Sequence, residues 1–528
     1  MTQTTIRMAE RSQFANAGHY LLDRHVEEER GDRIAVRCAG ERLSYAEIFR
    51  RANQAARLFC VAGVRPGDRV LLVLPDGPAF VVAFFALVRM GAVPVPLSTM
   101  LSSGDFSFVA GDCASKVAVI TSTLLPAFKE ILAQRTSLGR VWLSDADDAS
   151  AEFPSFESAL AKQDDSFPVQ PVESEDIALI QYTSGSTGRP KGVVHRHGAL
   201  RGICDGFPAR LALGPADICY SAAKMSFGYG LGNSLLFPFS AGATSILRVG
   251  ACGPYEAYET IQMSRPTLFF GVPSLYAAML KVTSPEREFD LSSIRVFISA
   301  GEHLTESVFT KWKQRFGREI INGIGCTECL HIFISGEAGR TKAGSAGSLI
   351  HGWEAKILDD EHGPVPIGEV GHLYVNGPGN SHEYWNHADN NKAMALKSWI
   401  RTGDLFHQDT EGFFFYAGRS DDQIKTKGFK IYPIEIEEVL SRHARVKECA
   451  VVGASTVEGV TEVRAYVVLQ ADQTGDKRLA RELKLYLLQT LPPQKCPDRI
   501  EFVAELPKTA TGKVARYKLR MASLQQPA

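Results

Sequence analysis

From Ile34 onward, short apolar runs alternate with longer stretches whose apolar positions recur every three or four residues. The longer pattern lays an apolar stripe along a helix, and the shorter one fills the interior of a sheet. Residues 46–63 (AEIFRRANQAARLFCVAG) have helix spacing, and residues 70–75 (VLLVLP) have the character of a strand. Residues 79–88 (AFVVAFFALV) carry no polar face and stop at Arg89. They are too short to span a bilayer, which predicts a buried helix ending at Met90. KVAVIT (116–121) and IALIQ (177–181) follow as strands. The alternation resumes with ATSILRV (243–249), TLFFGVP (267–273), a helix from Tyr276 to Lys281, IRVFISAG (294–301) and an amphipathic helix near 305–316. Repetition of this kind predicts parallel sheet with crossover helices.

The pattern then changes twice. After REIINGIGCTECLHIF (318–333) come short polar and glycine-rich pieces, with GEVGHLYVNGPG (368–379) as strand and turn. Around GRSDDQIKTKG (418–428) charges and glycines replace the apolar rhythm, as a linker or hinge would. Beyond it lie a helix at 434–443, strands at 448–454 and 463–470, a helix at 478–489 and a strand at 499–506. The expected fold class is α/β, with a large N-terminal α/β domain (residues 1–418) bearing a β-rich appendage, and a small mobile α+β C-terminal domain (residues 419–528). A chain of 528 residues exceeds what one apolar core serves, so two domains also follow from length.

Composition narrows the partners. With 45% hydrophobic residues, 22% charged residues and a net charge of −1, the chain lacks the basic excess that a nucleic acid or an acidic membrane surface selects. Neither partner is expected. The first residues, MTQTTIRMAERS, lack the apolar core of a secretory signal, and the ten cysteines are scattered, which predicts a reduced, cytoplasmic protein. Residues 1 to about 18 are expected to be loose, as untied termini are.

Candidate chemistry begins where the strand at 177–181 runs into YTSGSTGRPKG (182–192). Gly185, Gly188 and Gly192 let backbone N–H groups approach an anion, Thr183, Ser184, Ser186 and Thr187 add hydroxyls, and Lys191 adds a charge. Such a loop fits polyphosphate, although a plain polar turn has a similar composition. It is not a P-loop, because Lys191 is followed by Gly192 rather than Ser or Thr. In GCTECLH (325–331) a carboxylate beside a hydroxyl suits Mg²⁺ held through oxygen. Cys326, Cys329 and His331 raise a zinc or redox alternative, against which stands the lack of a second ligand pair. Two further charged stretches are RTGDLF (401–406) with YAGRSDDQIK (416–425), and PKTATGKVAR (507–516).

In this order, between residues 182 and 516, the motifs resemble those of the acyl-adenylate-forming superfamily: acyl- and aryl-CoA ligases, peptide-synthetase adenylation domains and luciferases. KMSFGYGLGNSLLFPF (224–239) and GIGCTECLHIFIS (323–335) look most like the benzoate-type aryl-CoA ligase branch. The resemblance implies an AMP-forming acid–thiol ligase. ATP and benzoate, or a small 2-amino or hydroxy benzoate, would give an aryl adenylate and pyrophosphate, and coenzyme A would then give the thioester and AMP. The alternative acceptor is the phosphopantetheine thiol of a separate carrier protein, and a homodimer is left open.

The same resemblance implies Lys513 as the catalytic lysine, working with Thr327, Glu328 and Lys191, and Glu328 as the Mg²⁺ ligand. It places ATP and coenzyme A contacts at Thr183, Ser184, Gly185, Ser186, Thr187, Gly188, Lys191, Gly301, Glu302, Gly323, Ile324, Thr327, Asp404, Arg419, Lys425, Lys427 and Gly428. The aryl pocket it implies is Gly228, Tyr229, Ala300, Gly325, His331 and Ile332, and the domain pivot is Asp421. Ile324 stands where many relatives have an aromatic residue, and Cys326 where Ser, Met or Ala is commoner. Gly228 stands where benzoate-activating relatives tend to have alanine, which implies a methyl's worth of room beside the ring.

Overall fold

A computed structural model describes residues 15–134, 137–146, 152–184, 189–381, 383–386, 395–396, 398–426, 429–455, 461–471, 473–508 and 514–525. The chain falls into two compact units. The first comprises the described residues of Met1–Leu304, Val308–Ala355 and Val375–Ile400, and the second those of Thr305–Ser307, Lys356–Tyr374 and Arg401–Ala528. This is the mixed α/β architecture expected, a large N-terminal body and a small C-terminal one. Among the described residues no helix is long and apolar enough to cross a membrane.

In the first unit, a four-stranded parallel sheet runs in the order Val93–Pro96, Arg69–Val73, Val117–Ile120, Arg140–Leu143. The all-apolar helix Pro78–Arg89 is buried from Phe80 to Arg89, opening with Pro78 in its first turn. Its one charge is neutralised internally, because Arg89 donates to Asp23 (2.6 Å) and Asn53 (2.5 Å). A second sheet has a parallel centre, Ile320–Gly325, Val296–Ser299, Leu268–Gly271, Ile218–Ser221, Thr244–Leu247 and Ile34–Cys38 in that order. Ile332–Ser335 extends it antiparallel to Ile320–Gly325. The stretch 318–333 therefore holds two strands that reverse direction, ending the parallel alternation.

Two expected elements differ in extent. The helix expected from Tyr276 to Lys281 spans Pro273–Met279, since a proline at the first helical position is pre-set for the turn. The strand expected at 177–181 continues to Ser184. Ile177–Ser184 pairs antiparallel with Pro190–Arg196 in a hairpin, and Ile180 and Val194 seal it onto the apolar core of the four-stranded sheet.

The second unit contains a three-stranded sheet in which Val446–Ser455 pairs antiparallel with Thr461–Leu469, which pairs parallel with Arg499–Phe502. Alternation sorts the faces. Val451, Val463, Ala465 and Val467 meet the helices Pro433–Ser441 and Lys477–Leu488, whereas Ala450, Val452, Tyr466 and Val468 meet Leu506 and Leu519. Asp476 starts the second helix by accepting from the Leu479 N–H at 2.7 Å.

Candidate active site

The hairpin fixes the ends of the hydroxyl-and-glycine loop. Thr183 lies opposite Lys191 across the two strands, and Ser184 opposite Pro190. Ile180 and Tyr182 face the apolar core, so period-two alternation turns Gln181 and Thr183 to the other side. Gly192 has a packing reason of its own: a Cβ there would stand 2.9 Å from Ile180 Cγ2 and 3.0 Å from Tyr182 Cζ. Gly185, Ser186, Thr187 and Gly188 lie outside the described residues.

Tyr384, which motif reasoning did not single out, connects two of the candidates. The Lys191 ammonium sits 5.7 Å from the centre of its ring, while its hydroxyl donates to Glu328 Oε1 at 2.7 Å. The backbone on either side is tied as well: the Ser381 N–H donates to the Glu328 carbonyl (2.7 Å) and the Trp385 N–H to the Gly192 carbonyl (2.7 Å). Thr327 and Glu328 lie together in the short turn Thr327–Cys329, both partly buried. The nearby Cys329 thiol is buried and directed at Asn380 Oδ1 (3.6 Å). Among the described residues, no group of three or more His, Cys, Asp or Glu side chains is placed to hold a metal ion.

A second cluster forms around Leu330 and His331. Three glycines close on this dipeptide: a Cβ at Gly228 would stand 2.7 Å from the Leu330 carbonyl oxygen, one at Gly232 2.3 Å from His331 Cδ2, and one at Gly325 2.4 Å from the His331 carbonyl oxygen. Leu330 has φ +64, an uncommon conformation for a branched side chain, of the kind that packing must hold in place. The room expected at Gly228 is therefore filled by backbone. His331 is 3% exposed, and Phe237 meets it edge-on at 4.5 Å with Tyr229 at 5.7 Å. Burial pushes its pKa down to about 3, so the imidazole is neutral. The Tyr229 hydroxyl donates to the Gly271 carbonyl at 3.2 Å. Ile332 is buried and lies opposite Gly325, and Ala300 is buried just past Val296–Ser299.

The remaining first-unit candidates are spread along neighbouring strand ends. Gly323 and Ile324 lie on Ile320–Gly325, opposite Ser335 and Ile334. Gly301 is exposed with φ +88. The Glu302 carboxylate is already engaged, accepting from the Ser274 N–H (3.0 Å) and hydroxyl (3.2 Å) at the start of Pro273–Met279.

In the second unit Asp404 and Arg419 face each other across paired strands, 3.0 Å apart, and Asp404 is 6% exposed. Burial works against the charge of Arg419, but Asp404 outweighs it and holds the guanidinium above its ordinary pKa. Asp421 is exposed in the turn Ser420–Asp422, and Lys425 is exposed, 3.8 Å from Asp360. Lys427, Gly428 and Lys513 lie outside the described residues. Lys508 and Val514, both described, form an antiparallel bridge. Arg516, just beyond, donates to the Glu437 carboxylate at 2.7 and 2.8 Å.

A first unit built on parallel sheet with a hydroxyl-and-lysine hairpin, and a smaller α+β unit after it, define a class. The chain belongs to the AMP-binding enzyme family, which matches residues 22–385, with the AMP-binding enzyme C-terminal domain matching residues 435–513. It is 36% identical to benzoate–CoA ligase of Thauera aromatica over 99% of this chain and 98% of that one. It is 34% identical to 4-hydroxybenzoate–CoA/benzoate–CoA ligase of Rhodopseudomonas palustris over 96% and 94%. The crystal structure of the anthranilate CoA ligase AuaEII in complex with anthranoyl-AMP superposes with a TM-score of 0.91 at 32% identity, covering 96% of this chain and 97% of that one.

Proposed function

We propose that the protein is an AMP-forming aryl-CoA ligase that activates benzoate or a small 2-amino or hydroxy benzoate. The observation that carries this reading is the line Lys191–Tyr384–Glu328 beside the Thr183/Lys191 hairpin pair, with the uncharged Leu330–His331 cradle following Glu328 in the chain. A carboxylate resists nucleophiles because of its resonance and charge. Converting it to a mixed anhydride supplies a leaving group, and most of the catalysis is then positioning and charge stabilisation.

In the first step a carboxylate oxygen attacks the α-phosphorus of ATP and pyrophosphate leaves. Thr183, Ser184, Gly185, Ser186, Thr187, Gly188 and Lys191 hold phosphate oxygens, with Thr327 beside them, and Lys513 supplies positive charge during transfer. Glu328 fits a Mg²⁺ ion, which is typically held by one or two carboxylates together with substrate phosphates. The Tyr384 hydroxyl holds its Oε1, so the carboxylate would be oriented for the cation. When bound, that ion neutralises charge on the phosphates. Gly301, Glu302, Gly323 and Ile324 flank the nucleotide, and Asp404 with Arg419 takes the ribose. The aryl ring lies among Gly228, Tyr229, Ala300, Gly325, His331 and Ile332. In the second step the thiol of coenzyme A attacks the acyl carbon, loses its proton and displaces AMP, with Asp421 as the pivot and Lys425, Lys427 and Gly428 serving this step.

Purified protein given ATP, Mg²⁺ and benzoate, with either coenzyme A or a phosphopantetheinylated carrier protein, tests the reading. Benzoyl-CoA, AMP and pyrophosphate in equal amounts are expected with coenzyme A. Thioester only on the carrier would replace coenzyme A as acceptor, and a medium-chain fatty acid outperforming every benzoate would remove the aryl assignment.

A further inference from the structure

Gln181 is 2% exposed, and neither its Nε2 nor its Oε1 has a hydrogen-bond partner among the described residues. An amide buried without partners is costly, and native interiors rarely leave both of its ends unmet. The side chain is not remote from the chemistry proposed above. Its Oε1 lies 3.2 Å from where a Cβ of Gly228 would stand, beside the Leu330 carbonyl that closes on the same glycine. The next residue after that carbonyl, His331, also keeps a buried ring nitrogen, Nδ1, without a partner among the described residues. Alternate residues of a strand share a face about 7 Å apart. The Ile177–Ser184 strand therefore presents the Thr183 hydroxyl at the phosphate end and the Gln181 amide further in.

We propose that Gln181 is a specificity-determining residue: its amide hydrogen-bonds an amino or hydroxyl group on the ring position next to the carboxylate. The inference rests on the aryl-acid reading of this site. An amide offers both a donor and an acceptor, so it satisfies –NH₂ and –OH alike, and a methyl of similar size satisfies neither. The neutral His331 keeps the surroundings uncharged, so the match is made by hydrogen bonds rather than by ion pairing. Selectivity then lies in this strand rather than in the space at Gly228.

The test compares kcat/KM for benzoate, 2-aminobenzoate, 2-hydroxybenzoate and 2-methylbenzoate in the wild type and in Gln181→Met, a swap of similar length without hydrogen-bonding groups. The wild type should prefer the amino and hydroxy acids over 2-methylbenzoate by about 5- to 150-fold, the range for leaving a buried polar group unsatisfied. In Gln181→Met that preference should collapse while turnover of benzoate persists. Equal wild-type rates for 2-amino- and 2-methylbenzoate overturn the proposal without any variant, as does an undiminished preference in Gln181→Met. If no benzoate at all is activated by the wild type, it is the aryl-acid reading that fails, and the benzoate control separates that result from the other two.

Discussion

Tyr384→Phe removes one oxygen and leaves the ring beneath Lys191, so it isolates the hydrogen bond to Glu328. That bond, at 2.7 Å to a charged acceptor, belongs to the stronger class, worth about 1.5–3 kcal/mol. The Glu328 backbone stays anchored, because its carbonyl still accepts from the Ser381 N–H at 2.7 Å. The loss is therefore one of side-chain orientation. Partners that orient a metal-binding carboxylate typically govern about 10- to 100-fold in metal affinity. Benzoate-dependent ATP–pyrophosphate exchange, titrated with free Mg²⁺ at fixed ATP, should show the half-saturating Mg²⁺ raised by about that factor. Saturating Mg²⁺ should restore most of the rate, and thioester formation from supplied benzoyl-AMP should be unchanged. An unshifted Mg²⁺ curve, or an equal loss in both half-reactions, would refute the role given to Tyr384 and Glu328.

Gly228→Ala places a methyl 2.7 Å from the Leu330 carbonyl, whose residue already has φ +64. It should lower stability by about 1–3 kcal/mol in urea unfolding; an unchanged urea midpoint would contradict the close approach of the backbone to Gly228. Arg516→Leu leaves the buried Glu437 carboxylate without its guanidinium and should cost about 3 kcal/mol, and adding Glu437→Leu should recover much of it; additive losses in the double variant would contradict the pairing. Lys513→Ala should slow adenylation by about 10²- to 10³-fold and spare thioester formation from benzoyl-AMP, so parallel losses in both steps would argue against a role confined to the first. Burial pushes the pKa values of His25 and His197 down to about 4 and of His195 and His331 down to about 3, so the unfolded chain binds these protons first. Stability is thus full above about pH 6.5 and falls as pH drops, each histidine contributing up to about 1.4 kcal/mol per pH unit. Asp76, raised to about 6 by burial, works in the opposite sense and offsets one proton. The urea midpoint should fall between about pH 7 and 5, and a flat profile would contradict the buried neutral imidazoles.

The long periodic stretches were legible because their burial is one-sided or complete. The apolar run 79–88 could only be an interior helix, and the alternating 448–454 and 463–470 strands sort cleanly into two faces. The return strand Pro190–Arg196 was not legible, since Pro190, Lys191 and Gly192 interrupt any period-two pattern before Val193 and Val194. Tyr384 was invisible for a different reason: it meets Glu328 from 56 residues away, in a polar-aromatic stretch with no periodicity. Gly228 was misjudged because a glycine in a sequence does not reveal whether its missing Cβ makes room for a ligand or for backbone. Here the Leu330 carbonyl fills that volume. Gln181 sits one residue before the motif and looked like an ordinary strand residue. Only its unsatisfied amide sets it apart.

The central claim is that the acid is activated as an adenylate and passed to a thiol, and oxygen-18 in the benzoate carboxylate tests it directly. The attacking carboxylate oxygen becomes the bridge to phosphorus and stays with AMP when the thiol displaces it. Mass spectrometry of products from doubly labelled benzoate, ATP and coenzyme A should therefore find one heavy oxygen in AMP and one in benzoyl-CoA. Heavy oxygen in inorganic phosphate accompanied by ADP, or unlabelled AMP beside labelled thioester, would contradict the account.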